Sequence, residues 1–137
     1  MSYRQQLRGV VAASAAPYGY TLTVWTSGAA ASHAQAALPG PAQAMLLLVG
    51  AVLGFGTVGA FAFGGINQVM TARPVGQVRV WGGMHLLPVG SSIGVVTGLT
   101  RFVHGDLMWA LVGFAATVIY LSTVGAQFWF VTRRPSR

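Results

Sequence analysis

The chain has 137 residues, 54% of them hydrophobic and 7% charged, against a charged share of about 25% in ordinary globular domains. A water-soluble domain of this size disperses by covering itself with charge, which this composition does not supply, and the absence of cysteine excludes disulfides and thiolate sites. The formal charge of +7 comes from eight arginines, with no lysine and a single acid, Asp106; because the arginines punctuate apolar runs instead of lining one face, no nucleic-acid partner is expected.

The pattern predicts an all-α integral membrane protein. It is a single domain over residues 1–137, with four transmembrane helices at roughly 10–32, 43–66, 80–103 and 107–131. The last three runs are each long enough to cross a bilayer, which takes about 20 apolar residues, and are rich in Leu, Val, Ile and Phe. The first is weaker. Its strongly apolar residues are Val10, Val11, Leu22, Val24 and Trp25, whose summed insertion gain is only about 2 kcal/mol. Arg4 and Arg8 before a short apolar stretch would also suit a cleaved signal peptide, but that stretch lacks leucine. The favoured reading is a helix shielded from lipid by partners.

That first segment also breaks. Pro17 has no N–H, so the carbonyl of Ala13 loses its helical donor, and Gly19 eases a bend; the helix is expected to be broken near Pro17-Gly19. On a helical projection Ser14, Tyr18, Thr21, Trp25, Gly28 and Ser32 share one aromatic and hydroxylic face. Either that face packs on other helices with hydroxyls bonded to their own i−4 carbonyls, or it lines a wet pathway.

Arginine placement sets an orientation. Arg4 and Arg8 precede the first span, Arg73 and Arg79 lie between the second and third, and Arg133, Arg134 and Arg137 follow the fourth. With four crossings these fall on one side, which the positive-inside rule makes cytoplasmic, with both termini there. A bacterial-type inner or plasma membrane is the expected location. Trp81, Trp109 and Trp129 fall near span ends, as interfacial anchors do.

The second span holds Gly54-Phe55-Gly56-Thr57-Val58-Gly59, a literal G-x-G-x-x-G. That fingerprint binds a dinucleotide only between a strand and a helix start, and here it lies inside an apolar run. The glycines instead predict helix packing. Gly50 and Gly54 are four apart, Gly56, Ala60 and Gly64 repeat that spacing, and Gly90, Gly94 and Gly98 form a row on the third span. Such rows let a second backbone approach closely, within the chain or from another copy.

Polar groups inside the third span are His85, Ser91 and Ser92. His85 is a candidate by virtue of its depth, either as part of a pathway or as a neutral imidazole bonded to a serine or a carbonyl. Haem would need a second axial partner or an open site. Arg101 and Asp106 are expected to pair across the outer turn. His33, His104 and Asp106 would have to converge beside Arg101 to hold zinc, so neither metal nor cofactor is expected. No nucleophile–base–acid set is visible, which argues against an enzyme.

Three functions fit these readings. The first is a small homo-oligomeric channel or permeation protein, with Ser14, Tyr18, Thr21, Trp25, His85, Ser91 and Ser92 as lining candidates. The second is a non-catalytic accessory subunit covered by unlike membrane chains. The third, and weakest, is a cofactor-binding subunit built around His85. The lipid bilayer and further copies of the chain are the expected partners.

Overall fold

The computed structural model describes residues 2–13, 18–65 and 85–133. All the regular structure among them is helical: α1 (Tyr3–Ala13), α2 (Tyr18–Gln35), α3 (Pro41–Phe63), α4 (Leu86–Leu99) and α5 (Asp106–Arg133). Two of these, α3 and the Asp106–Phe130 stretch of α5, are long and apolar enough to cross a membrane. At 1.5 Å per residue α5 is about 42 Å long and α4 about 21 Å.

Local signals set the helix ends. α1 begins seven residues before the first span was expected to begin. Ser2 and Gln5 explain it: the Ser2 N–H donates to Gln5 Oε1 at 2.9 Å and the Gln5 N–H to Ser2 Oγ at 3.4 Å, a reciprocal cap of the S-x-x-Q type. Ser14 to Pro17, including the expected break, lie outside the described residues. α3 starts at Pro41, whose missing N–H is unneeded in a first turn, and Gln43 Oε1 accepts the Gly40 N–H at 2.8 Å. It stops at Gly64, where φ is 82° and the N–H bonds the Ala60 carbonyl at 2.9 Å. Gly64 is therefore a left-handed cap and not a packing glycine, and the span ends three residues before the expected Ile66. α4 ends at Leu99 rather than near Val103; residues 80–84 of that span lie outside the described residues.

α2 closes less comfortably. Ala36 adopts φ 52°, with its N–H on the His33 carbonyl and the Ala37 N–H on the Ser32 carbonyl, both at 3.2 Å. This is a left-handed cap occupied by alanine where glycine is at ease. Ala36→Gly is expected to raise stability by about 1 kcal/mol, read as a higher midpoint of thermal unfolding in detergent; a lower midpoint would contradict the positive φ.

α5 is the central helix, touching the other four. α3 runs parallel to it: Gln43 meets Asp106 at one end, Gly50 meets Ala110, and Gly54 meets Phe114 and Thr117. α2 runs antiparallel, with Tyr20 on Thr117 and Gln35 reaching Met108. α4 is also antiparallel, with His85 at Tyr120 and Val96 in one cluster with Met108, Trp109 and Val112. α1 lies against the later half of α5 and the end of α3. Its Tyr3 hydroxyl donates to the Ser122 carbonyl at 3.4 Å, Leu7 covers Gly125, and Arg8 Nε donates to the Ala62 carbonyl at 2.8 Å.

Two apolar clusters follow. Leu7, Val10, Val58, Ala62, Leu121 and Val124 join α1, α3 and α5. Ala31, Val96, Met108, Trp109, Val112 and Ala116 join α2, α4 and α5. Trp109 is fully buried there, so it is a core residue and not the interfacial anchor its position near a span end suggested.

Candidate functional site

The buried polar chemistry gathers in a seam where α2, α4 and α5 meet. Gly19 opens it. A β-carbon at Gly19 would collide with the His85 imidazole and the Tyr120 hydroxyl, so the missing side chain is what lets both groups lie against the α2 backbone. His85 Nδ1 and the Tyr120 hydroxyl are 3.0 Å apart. Their rings are stacked, with centroids 6.2 Å apart and planes 11° from parallel. Either neutral tautomer satisfies the contact: a bare Nδ1 accepts from the phenol, or Nδ1–H donates to its oxygen. The sequence suggested a serine or a carbonyl as the His85 partner; a phenol takes that place.

The seam continues through hydroxyls. Tyr20 tilts against Tyr120 with centroids 6.0 Å apart, and its hydroxyl is 2.9 Å from Thr117 Oγ1. Thr117 already donates to the Gly113 carbonyl at 2.8 Å. A hydroxyl has one proton, so Tyr20 is the donor to Thr117. By the same count Ser91, which donates to the Pro88 carbonyl at 3.0 Å, accepts from Thr123 at 3.4 Å. Ser92 shares its proton between the Pro88 carbonyl at 2.8 Å and the Ala116 carbonyl at 3.3 Å. Thr23 bonds back to the Gly19 carbonyl at 2.9 Å. Three buried polar atoms make no hydrogen bond among the described residues: Ser27 Oγ, Trp109 Nε1 and Gln127 Oε1.

Of the expected lining residues, His85, Ser91 and Ser92 meet in this seam. Thr21 and Trp25 do not; they lie on the outer face of α2, with Trp25 74% exposed. Ser14 and the Tyr18 side chain lie outside what is described. The inward face of α2 is Gly19, Thr23, Ser27 and Ala31. That row has a regular spacing of four and was readable as a small-residue stripe. Tyr20, Thr117, Tyr120 and Thr123 were missed because an aromatic or a threonine inside an apolar run carries no signal of what it faces.

The glycines divide in the same way. Gly50 and Gly54 contact the α5 backbone, and Gly113 is their unrecognised counterpart on α5. Gly56, Gly90, Gly94 and Gly98 have open space where a β-carbon would stand, so they pack against nothing among the described residues. The expected Arg101–Asp106 pair does not form among the described residues. Asp106 opens α5 level with the start of α3, and its Oδ1 accepts Gln43 Nε2–H at 3.0 Å; as a carboxylate in a first turn it also suits the helix dipole. No three His or Asp side chains gather as metal ligands among the described residues. No family model matches the chain, and no curated protein or solved structure matches it.

Proposed function

We propose that this chain is a small membrane protein that works as an assembly of its own copies and lets a small solute pass between them. It crosses the bilayer four times, with α1 and α2 in one crossing and both termini on the cytoplasmic side of a bacterial-type inner or plasma membrane. The observation that carries this reading is the state of the surfaces. The inside of the bundle is closed by backbone contact between α3 and α5, with Gly50, Gly54 and Gly113 leaving no room for a side chain. Gly90 and Gly94 of α4 and Thr21 and Trp25 of α2 face outward. A glycine row gives a second helix close approach in lipid, where apolar burial offers no drive for association.

The test is the mass of the purified particle in mild detergent. A closed multiple of 14.3 kDa supports the assembly. A single copy rules it out, and steady co-purification with unlike chains replaces it with an accessory-subunit role. Solute flux in liposomes then tests the pathway. His85→Ala with unchanged flux would remove the His85–Tyr120 pair from it.

A further inference from the structure

We infer that the Arg133 end of the bundle binds the phosphate headgroups of anionic phospholipids through Arg4, Arg8 and Arg133. This inference rests on the membrane placement proposed above. Asp106, the chain's one acid, opens α5, and Arg133 closes it, about 40 Å away along the helix. That is several Debye lengths at physiological salt, so no acidic side chain neutralises these arginines. Arg4 and Arg8 are one turn apart on α1, a spacing that makes like charges repel unless an anion lies between or beside them.

Each guanidinium is also held in place. Arg8 donates Nε–H to the Ala62 carbonyl at the end of α3 and sits 5.5 Å over the Phe63 ring. Arg4 lies 5.3 Å over Phe61, and Arg133 4.0 Å over Trp129. Trp129 in turn meets Tyr3 edge-on with centroids 6.4 Å apart, which ties the start of α1 to the end of α5. Cation–π seating fixes the planes and leaves the fork of N–H donors for oxygen ligands. A phosphate is the group that such a fork grips in two-point fashion.

The surroundings distinguish the source of the phosphate. Phe61 is 56% exposed and Phe130 63% exposed beside these arginines. A soluble phosphate offers those rings nothing, whereas a phospholipid brings acyl chains with its headgroup; a nucleic acid could stack bases on them, but arginines that punctuate apolar runs give it no basic track. Basic sites on the cytoplasmic side of helix bundles take anionic lipid in this way.

The test uses the full chain. Flotation with pure phosphatidylcholine vesicles comes first; a chain that does not enter them refutes the membrane placement itself. In vesicles of mixed phosphatidylcholine and phosphatidylglycerol, the lipid retained through detergent extraction is then weighed by native mass spectrometry. Phosphatidylglycerol is expected to be enriched, and Arg4→Gln and Arg133→Gln each to reduce that enrichment about fivefold. Arg4→Lys, which keeps the charge but not the two-point fork, is expected to restore only part of it, and Arg101→Gln at the opposite end to change nothing. Arg4 makes no hydrogen bond to the described residues beyond its ring contact, so its variant reports binding even if Arg8→Gln loosens α1. Equal retention of both lipids, loss of the preference in Arg101→Gln but not in Arg4→Gln, or full displacement by inorganic phosphate or an oligonucleotide would each overturn the inference.

Discussion

Gly50→Ala is expected to unseat α3 from α5 and lower stability by about 3 kcal/mol. The added carbon would stand 2.7 Å from the Ala110 carbonyl carbon and overlap its oxygen. A side chain in the way can turn aside; a helix backbone cannot, so the whole of α3 must shift. Gly113→Ala makes the reciprocal intrusion, meeting the Leu47 carbonyl and coming within 2.9 Å of the Ala51 nitrogen. The two glycines are the two halves of one contact, and their double variant is expected to add less than the sum of the singles because α3 can be displaced only once. In a bilayer this contact matters more than in water, since dispersion between close backbones takes the place of the missing hydrophobic drive. Gly56→Ala supplies the control. It faces open space, and alanine is the better helix former by about 1 kcal/mol, so it is expected to hold or raise the midpoint of detergent unfolding. Gly90→Ala separates the isolated chain from an assembly: stabilising if α4 faces lipid, destabilising to the oligomer if a second helix lies there. A Gly50→Ala protein that melts like the parent would mean that α3 is not seated on Ala110.

Much of this architecture was legible because composition and run length report the solvent a helix must face. The second and fourth spans are uninterrupted apolar runs, and α3 and α5 start within two residues of where those runs begin. What the sequence concealed was rotation. α2 carries Gly19, Thr23, Ser27 and Ala31 on one side and Thr21 with the bulky Trp25 on another, and hydropathy hardly distinguishes them. The bulky face attracted attention because its chemistry is richer. The small face is the one that packs, because close helix approach selects for little side chain. The same confusion explains the glycines: the spacing of four marked Gly50 and Gly54 and equally Gly90 and Gly94, yet among the described residues only the first pair has a helix opposite it. Spacing shows that a row exists, and only a neighbour gives it a use. Asp106 was misjudged for a related reason. Arg101 is close in sequence, while Gln43 is far away and becomes adjacent only because α3 and α5 are parallel and start level.

Trp109→Ala is expected to lower stability by about 3–5 kcal/mol, while Trp109→Phe stays within about 1 kcal/mol of the parent. Trp109 is fully buried where α2, α4 and α5 converge, against Ala31, Val96 and Val112. Alanine would leave a void lined by three helices that are held apart by their other contacts, so the surroundings can close on it only in part. Phenylalanine keeps most of the ring and removes Nε1–H, which has no acceptor among the described residues. A buried donor without a partner costs about 1–3 kcal/mol, and relief of that cost offsets the smaller volume. The pair of variants therefore separates bulk from polarity at one position, read as two unfolding midpoints in the same detergent. Should Trp109→Phe fall as far as Trp109→Ala, the indole nitrogen must be bonded after all. Ser27 Oγ, the unpartnered atom of α2, then becomes the place to look, because a single buried water accepting from Nε1–H and donating to Ser27 Oγ would satisfy both. Ser27→Ala would in that case lose stability together with Trp109→Phe, and the two losses would not add.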